Sequence, residues 1–156
     1  MRIGVSGTPP CDLGLARRAI RAALRPFRPP TGATLALAFV EDAAMRELNS
    51  RYRGRRTTTD VLSFGQRLPE AAQGAAAVDA LRADPDGTID LGDLVISSAQ
   101  AARQARRRRR SLEREVAFLA AHGALHLVGF EDDTPRGYRE MVRLGRAALA
   151  EAAERA

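Results

Sequence analysis

The stretch "LEREVAFLAAHGALHLVGFEDD", residues 112–133, holds both histidines of a 156-residue chain, and three consecutive acids follow them. Entered from Ser111, "LEREVAFLAAHGALHLV" reads as a helix with a strong apolar face, and Gly129 stands where a C-terminal cap belongs. Residues i and i+4 of a helix lie on one face, one turn apart. His122 and His126 can therefore grip a single metal ion, as the H-x-x-x-H core of zinc hydrolases does. Gly123 beside the first histidine gives room for close approach by backbone or ligand. Glu131, Asp132 and Asp133 come just after the turn, where the chain can fold back toward the imidazoles. The plainer alternative is two ordinary histidines on a helix, and spacing alone does not choose between them.

Outward from this helix, the pattern alternates strands and helices. "RIGVSG" near the N-terminus reads as a short strand, and "DLGLARRAIRAALRPF" as an amphipathic helix with Asp12 as N-cap, ended by the prolines after it. "ATLALAFV" has the composition of a buried strand, and Asp42 can cap "AAMRELNSRYR", where Met45, Leu48 and Tyr52 recur at helical spacing. "TTTDVLSFG" pairs a turn-prone threonine run with a strand, and "IDLGDLVIS" is a further strand. Between them, about residues 66–88, the Ala-, Pro- and Gly-punctuated text reads as a flexible loop with one short helix around Ala75–Arg82. "SAQAARQARRRRR" is a polar helix, and Thr134–Pro135 make the N-cap and first turn of a last helix. Strands early and helices late predict an α+β fold, in one domain over residues 1–156.

Composition narrows the class of partner. Twenty-five Lys plus Arg against 19 Asp plus Glu leave a net charge of +6, which favours a polyanion, most simply nucleic acid. Codon bias can produce the same Arg- and Ala-rich text, so charge alone leaves the partner open. No apolar run approaches the roughly 20 residues of a membrane span. The lone Cys11 excludes an intrachain disulfide framework and, with no secretory-type N-terminus, fits a cytoplasmic protein.

Three further groups can bear chemistry. In "LNSRYRG", Arg51 and Arg53 sit at a helix end, either solvated or placed to clamp a phosphate. The run Arg103–Arg110 is the strongest charge block; it suits phosphate contact, but no aromatic is interleaved for base stacking, so it does not read sequence. Glu115, seven residues before His122 on the same helix face, either supports a metal ligand or is a surface carboxylate, the simpler reading.

These residues together resemble a known family. "HGALHLVGFED" is similar to the signature H-G-x-L-H-L-x-G-[aromatic]-D-H of the bacterial YbeY endoribonucleases. "LNSRYRG…TTTDVLSF" and "IDLGDLVIS" resemble that family's L-N-x-x-[YF]-R…T-D-V-L-S-F and L-G-D-I-x-I-S segments, in the same order, over about residues 38–145. The resemblance implies a compact α+β domain with a mixed sheet of about four strands packed by about five helices. It implies one metal ion, usually zinc, with His122 and His126 as ligands and Arg53 as the arginine important for activity. It implies a single-strand-specific, metal-dependent endoribonuclease acting in ribosomal RNA maturation at the small-subunit 3′ end and in ribosome quality control, with ribosomal or assembly proteins as partners.

The chain departs from that pattern at the third ligand. Asp132 stands where the family has histidine, Glu131 at the usual aspartate position, and Gly65 where proline is commoner. A His₂Asp set still suits zinc, but it also suits Mn²⁺ or Fe²⁺, and Asp133 reaches the same place if the turn is looser. The general base is open between Glu131 and Asp133; the H-E-x-x-H glutamate of peptidases is absent, since Gly123 follows His122. Two rivals remain: a structural metal in a ribosome-assembly or RNA-binding protein, and a metallohydrolase of another substrate.

Overall fold

A computed structural model of the chain describes residues 1–52 and 61–155. Strand β1 (Arg2–Ser6) leads through helix α1 (Gly14–Leu24) to β2 (Thr34–Val40), α2 (Asp42–Arg51) and β3 (Val61–Phe64). A short α3 (Ala75–Ala80) precedes β4 (Asp90–Ser97), and α4 (Ser98–Arg107), α5 (Leu112–Leu127) and α6 (Pro135–Glu154) complete one compact α+β domain. The sheet order is β1-β2-β4-β3, with β1, β2 and β4 parallel and β3 antiparallel to β4. The mixed four-stranded sheet agrees with expectation, and α3 is the short helix expected around Ala75–Arg82 within the segment between β3 and β4.

Alternation along β2 buries Leu35, Leu37 and Phe39 on one face, where Leu94 and Ile96 of β4 join them. Helices α1, α5 and α6 pack over that face and form the main core. The other face carries a smaller cluster of Met45, Leu62 and Val95 beneath α2. Helix α5 was read as apolar along one face, yet it is buried on almost every side, from Val116 through Leu127. Its neighbours α1, α4, α6 and the sheet surround it, so the helix that carries the histidines is also the hub of the core. Alanines at positions 117, 120, 121 and 124 keep it slim enough to be enclosed. Gly123 belongs to this packing: a Cβ there would meet Leu94 Cδ2 at 2.9 Å and Val61 Cγ2 at 3.1 Å. The missing side chain brings the helix against the sheet rather than opening space for a ligand.

Local signals account for the helix ends, with some reassignments. Ser97, Ser111 and Thr134 each accept a hydrogen bond from the backbone N–H three residues on, capping α4, α5 and α6. Asp42 is not the cap of α2: it lies inside the first turn, where it accepts from Ser97 Oγ at 2.7 Å and pairs with Arg103. Asp12 likewise lies outside α1, though its carboxylate accepts from the Gly14 N–H at 3.0 Å. Tyr52, expected in the core, is exposed and meets Phe64 edge-on with centroids 4.9 Å apart. In the segment between β3 and β4, the Gln66 side chain donates to the carbonyls of Arg82 and Asp90 and accepts from the Arg82 N–H.

Helix α5 ends in a complete Schellman turn. Phe130 N–H donates to the Leu125 carbonyl and Gly129 N–H to the His126 carbonyl, each at 3.1 Å, with Gly129 at φ 92°. A Cβ on Gly129 would press into the Ala72 carbonyl. Gly129→Ala therefore combines left-handed strain with a clash, and should destabilise the fold by roughly 2–6 kcal/mol. Urea unfolding with unchanged m tests this; a loss below about 0.5 kcal/mol, ordinary for a surface change, would contradict it.

Cys11 packs against the core, and burial, followed by the charges of Glu113 and Asp12, pushes its thiol up from 9.0 to about 11. Its thiolate fraction near pH 8 is then about a hundredfold lower than that of a free thiol, a shift of two pH units. Iodoacetamide alkylation should be slowed to match in the native protein and recover in urea; equal rates in both would refute the assignment.

Candidate metal centre

His122 and His126 stand on consecutive turns of α5 with ring centroids 4.9 Å apart and planes near perpendicular. The Gly129 turn sends the chain back over them. Asp132 Oδ2 lies 3.1 Å from His122 Nε2 and 3.4 Å from His126 Nε2, with all three side chains at most 16% exposed. One potential ligand atom from each residue falls within 4.8 Å of the others, the arrangement a single metal ion requires. Of the candidate acids, Asp132 faces the imidazoles, while Asp133 is exposed to solvent.

The proton inventory fits a cation. His126 Nδ1 is 2.8 Å from the Phe130 carbonyl, which can only accept, so Nδ1 carries the hydrogen. That leaves His126 Nε2 turned toward the Asp132 carboxylate at 3.4 Å, the pair of atoms that a metal ion would join. Burial pushes His122 below the ordinary histidine range, and the adjacent His126 adds to this against the pull of Asp132, so its ring is neutral at neutral pH. Burial alone would raise the Asp132 carboxyl, but His126 and then His122 outweigh it and hold it below the usual carboxylate range. A neutral His122 and an ionised Asp132 are protonation states that metal ligation needs. His122 Nδ1, by contrast, is buried without a hydrogen-bond partner among the described residues. Its ring is held instead by the Asp132 contact and by packing near Phe118, whose centroid is 6.2 Å away.

The three residues are divided between the walls of two hollows. A groove of about 860 Å³ runs along α5 with His122 and Asp132 in its wall; α4 and the turn after it line one side with Arg107 and Arg108, and α6 the other with Tyr138 and Arg146. A smaller hollow of about 470 Å³ has His126, Glu131, Ser63 and Arg67 in its wall. The three-residue group thus borders both.

The remaining sequence candidates divide. Arg53 lies outside the described residues, as does Asp60. Glu115, expected at the surface, is fully buried and takes ion pairs from Arg108 and Arg110 at 3.3 and 3.9 Å, stitching the α4–α5 turn. Arg110 also sits over the Phe118 ring, 5.5 Å from its centroid. The arginine run is therefore partly structural. Sequence reasoning missed two features. Ser63 Oγ donates to the Gly123 carbonyl at 3.1 Å, tying β3 to the histidine helix. The aromatic that the arginine run lacks is supplied by Tyr138 from α6. Only the i+4 spacing of Tyr138, Val142 and Arg146 hinted at the second.

Comparison with known proteins follows the same residues. The profile of the family described as Endoribonuclease YbeY matches residues 13–153. A protein of Moorella thermoacetica named Endoribonuclease YbeY is 47% identical over 118 residues, covering 76% of this chain and 72% of its own. Its namesake from Geobacillus thermodenitrificans is 39% identical over 122 residues, with 78% and 74% covered. A solution structure of a Thermotoga maritima protein shares the fold at a TM-score of 0.59 and 18% identity, covering 96% of this chain and 88% of that one. From α1 through nearly all of α6 the match is continuous, and the chain belongs to the endoribonuclease YbeY family.

Proposed function

We propose that this protein is a metal-dependent endoribonuclease that cuts single-stranded RNA, with His122, His126 and Asp132 as the ligands of one ion. The observation that carries the reading is the convergence of two imidazole Nε2 atoms on the Asp132 carboxylate, with the three residues divided between the walls of two hollows. Internal cleavage of the strand is the activity named for the family to which the chain belongs. Three ligands leave a position for water or a phosphate oxygen, as in catalytic zinc sites, whereas structural zinc sites are closed by four. Among the described residues the potential ligand group has three members, which disfavours a purely structural metal.

When bound, the ion supplies Lewis acidity to the phosphate and lowers the pKa of its water. The protein's residues do the rest. His126 is oriented by its Nδ1–H to Phe130, and Asp132 supplies the negative charge that offsets the cation. Arg53 balances charge developing on the phosphoryl oxygens. Glu131, in the wall of the smaller hollow beside His126, is better placed than Asp133 to take a proton from water. With a carboxylate in place of the family's third histidine, the site accepts Mn²⁺ or Fe²⁺ as well as Zn²⁺. In the cell, the reading places the protein in the cytoplasm, maturing the small-subunit ribosomal RNA 3′ end and removing defective ribosomes together with ribosomal or assembly proteins. Among the described residues no helix is long and apolar enough to cross a membrane.

His122→Ala should lose both bound metal and RNA cleavage, read by elemental analysis and by gel assay on labelled single-stranded RNA. A variant that loses metal yet cleaves at the parent rate would refute the mechanism. Asp132→Ala should weaken metal binding by more than the roughly 10–100-fold typical of losing an outer-shell partner, while Asp133→Ala leaves it unchanged. Asp132→His should retain metal and shift preference toward zinc, measured by competition between Zn²⁺ and Mn²⁺; an unshifted preference would remove Asp132 from the ligand set.

A further inference from the structure

We propose that the groove between α4 and α6 is a track for a single polynucleotide strand, in which Arg107 and Arg146 hold phosphates and Tyr138 stacks on a base beside the metal centre. The inference rests on the nuclease reading above and assigns the residues that position the substrate. The groove has a built asymmetry. Its α4 wall is cationic, its α6 wall presents Tyr138, Val142 and Arg146 at successive i+4 positions, and its inner end holds His122 and Asp132.

The arginines around the groove differ in what they already hold. Arg108 and Arg110 are committed to buried Glu115, and Arg103 to Asp42. Arg107 and Arg146 have no carboxylate partner among the described residues, so their charges face the groove uncompensated. An uncompensated cation pair flanking a groove of about 860 Å³ attracts a polyanion, and release of its counterions drives binding. Tyr138 is 56% exposed, a large aromatic with no ring contact among the described residues. An exposed ring in a cationic groove is a stacking platform that any base can use. It can accept only a base whose face is free, and a base inside a duplex stack has none to offer. Tyr138 thereby supplies a physical basis for preferring single strands, which the arginines alone do not.

The test uses the full chain loaded with its metal and, as probe, a short fluorescein-labelled single strand of DNA. That probe shares the phosphates and stacking faces of RNA and lacks the 2′-hydroxyl. By anisotropy, Tyr138→Ala should weaken binding about tenfold, Tyr138→Phe should bind as the parent does, and the matching duplex should bind more weakly than the strand. Arg107→Ala and Arg146→Ala should each flatten the slope of log affinity against log salt by about 0.7. All three side chains are exposed, so metal content and thermal midpoint should stay at the parent values. In RNA cleavage the same variants should raise KM and leave kcat in place. Variants that bind the strand as tightly as the parent with the same salt slope, or a duplex that binds as well as the strand, would overturn the assignment. A parent protein that binds strands through these residues yet cuts no RNA would uphold the groove and sink the nuclease reading instead.

Discussion

The turn at Gly129 sets the geometry on which the metal centre depends. With φ at 92° and no Cβ to collide with Ala72, the chain leaves α5 by reversing direction within two residues. Three consequences follow from that one backbone state. The Phe130 carbonyl swings under His126 and fixes which ring nitrogen carries the proton. Phe130 itself turns into the core, where it meets Phe27 at 5.3 Å between centroids. Asp132 then lands over both imidazoles rather than trailing into solvent as Asp133 does. A different C-terminus for α5 would leave two histidines on a helix and an acidic tail, with no reason for them to meet.

The helix behind that turn shows how a polar site is embedded in an apolar hub. Helix α5 is enclosed by three helices and the sheet, and it carries Glu115 and His122 into surroundings where unpaired polar groups are costly. Each is managed differently. Glu115 is met by two arginines from the preceding turn, so its charge is compensated within the fold. His122 is kept neutral by burial and is compensated only in part: Nε2 reaches Asp132, while Nδ1 has no partner among the described residues. The incomplete satisfaction lies at the functional end of the helix and the complete satisfaction at its structural end. That is the distribution expected when stability is yielded locally for a binding role.

The sequence made the periodic and capped elements readable, and the tertiary ones much less so. The β-compatible composition of "ATLALAFV", the Thr134–Pro135 helix start and the glycine stop at residue 129 are local signals, and local physics decides them. The histidine pair was legible for the same reason, since i and i+4 geometry is a property of one helix. Asp132 was placed at the third position by the family motif, with Asp133 left open because one residue of slack in a turn settles it and only the packed chain fixes the slack. Asp42 looked like a cap because an acid preceding a helix usually is one. Its true partners, Ser97 and Arg103, come from β4 and α4, far along the chain. Glu115 looked exposed because a lone glutamate usually is, and Tyr52 looked buried because its spacing matched Met45 and Leu48. Arg53 falls outside the described residues, so its part in the site rests on the family motif.

Electrostatics ties the proposed third ligand, Asp132, to the rest of the surface. Exchanging a neutral imidazole for the Asp132 carboxylate removes one unit of positive charge from the centre, at the place where a phosphodiester must bring its own negative charge. Within a low-dielectric recess that repulsion is poorly screened, and cations nearby have to counter it. The groove supplies them: Arg107 and Arg146 stand uncompensated in its walls, while Arg103, Arg108 and Arg110 are spent on Asp42 and Glu115. The site is then best understood as a charge distribution rather than as three ligands. On the proposed ligand set its centre is less positive than a three-histidine centre and its approach is cationic, so a polyanion would be drawn in along the groove and held by the protein as much as by the metal. Such an arrangement favours an extended phosphate chain over an isolated phosphate, because a small ester reaches the centre without engaging the arginines that offset Asp132.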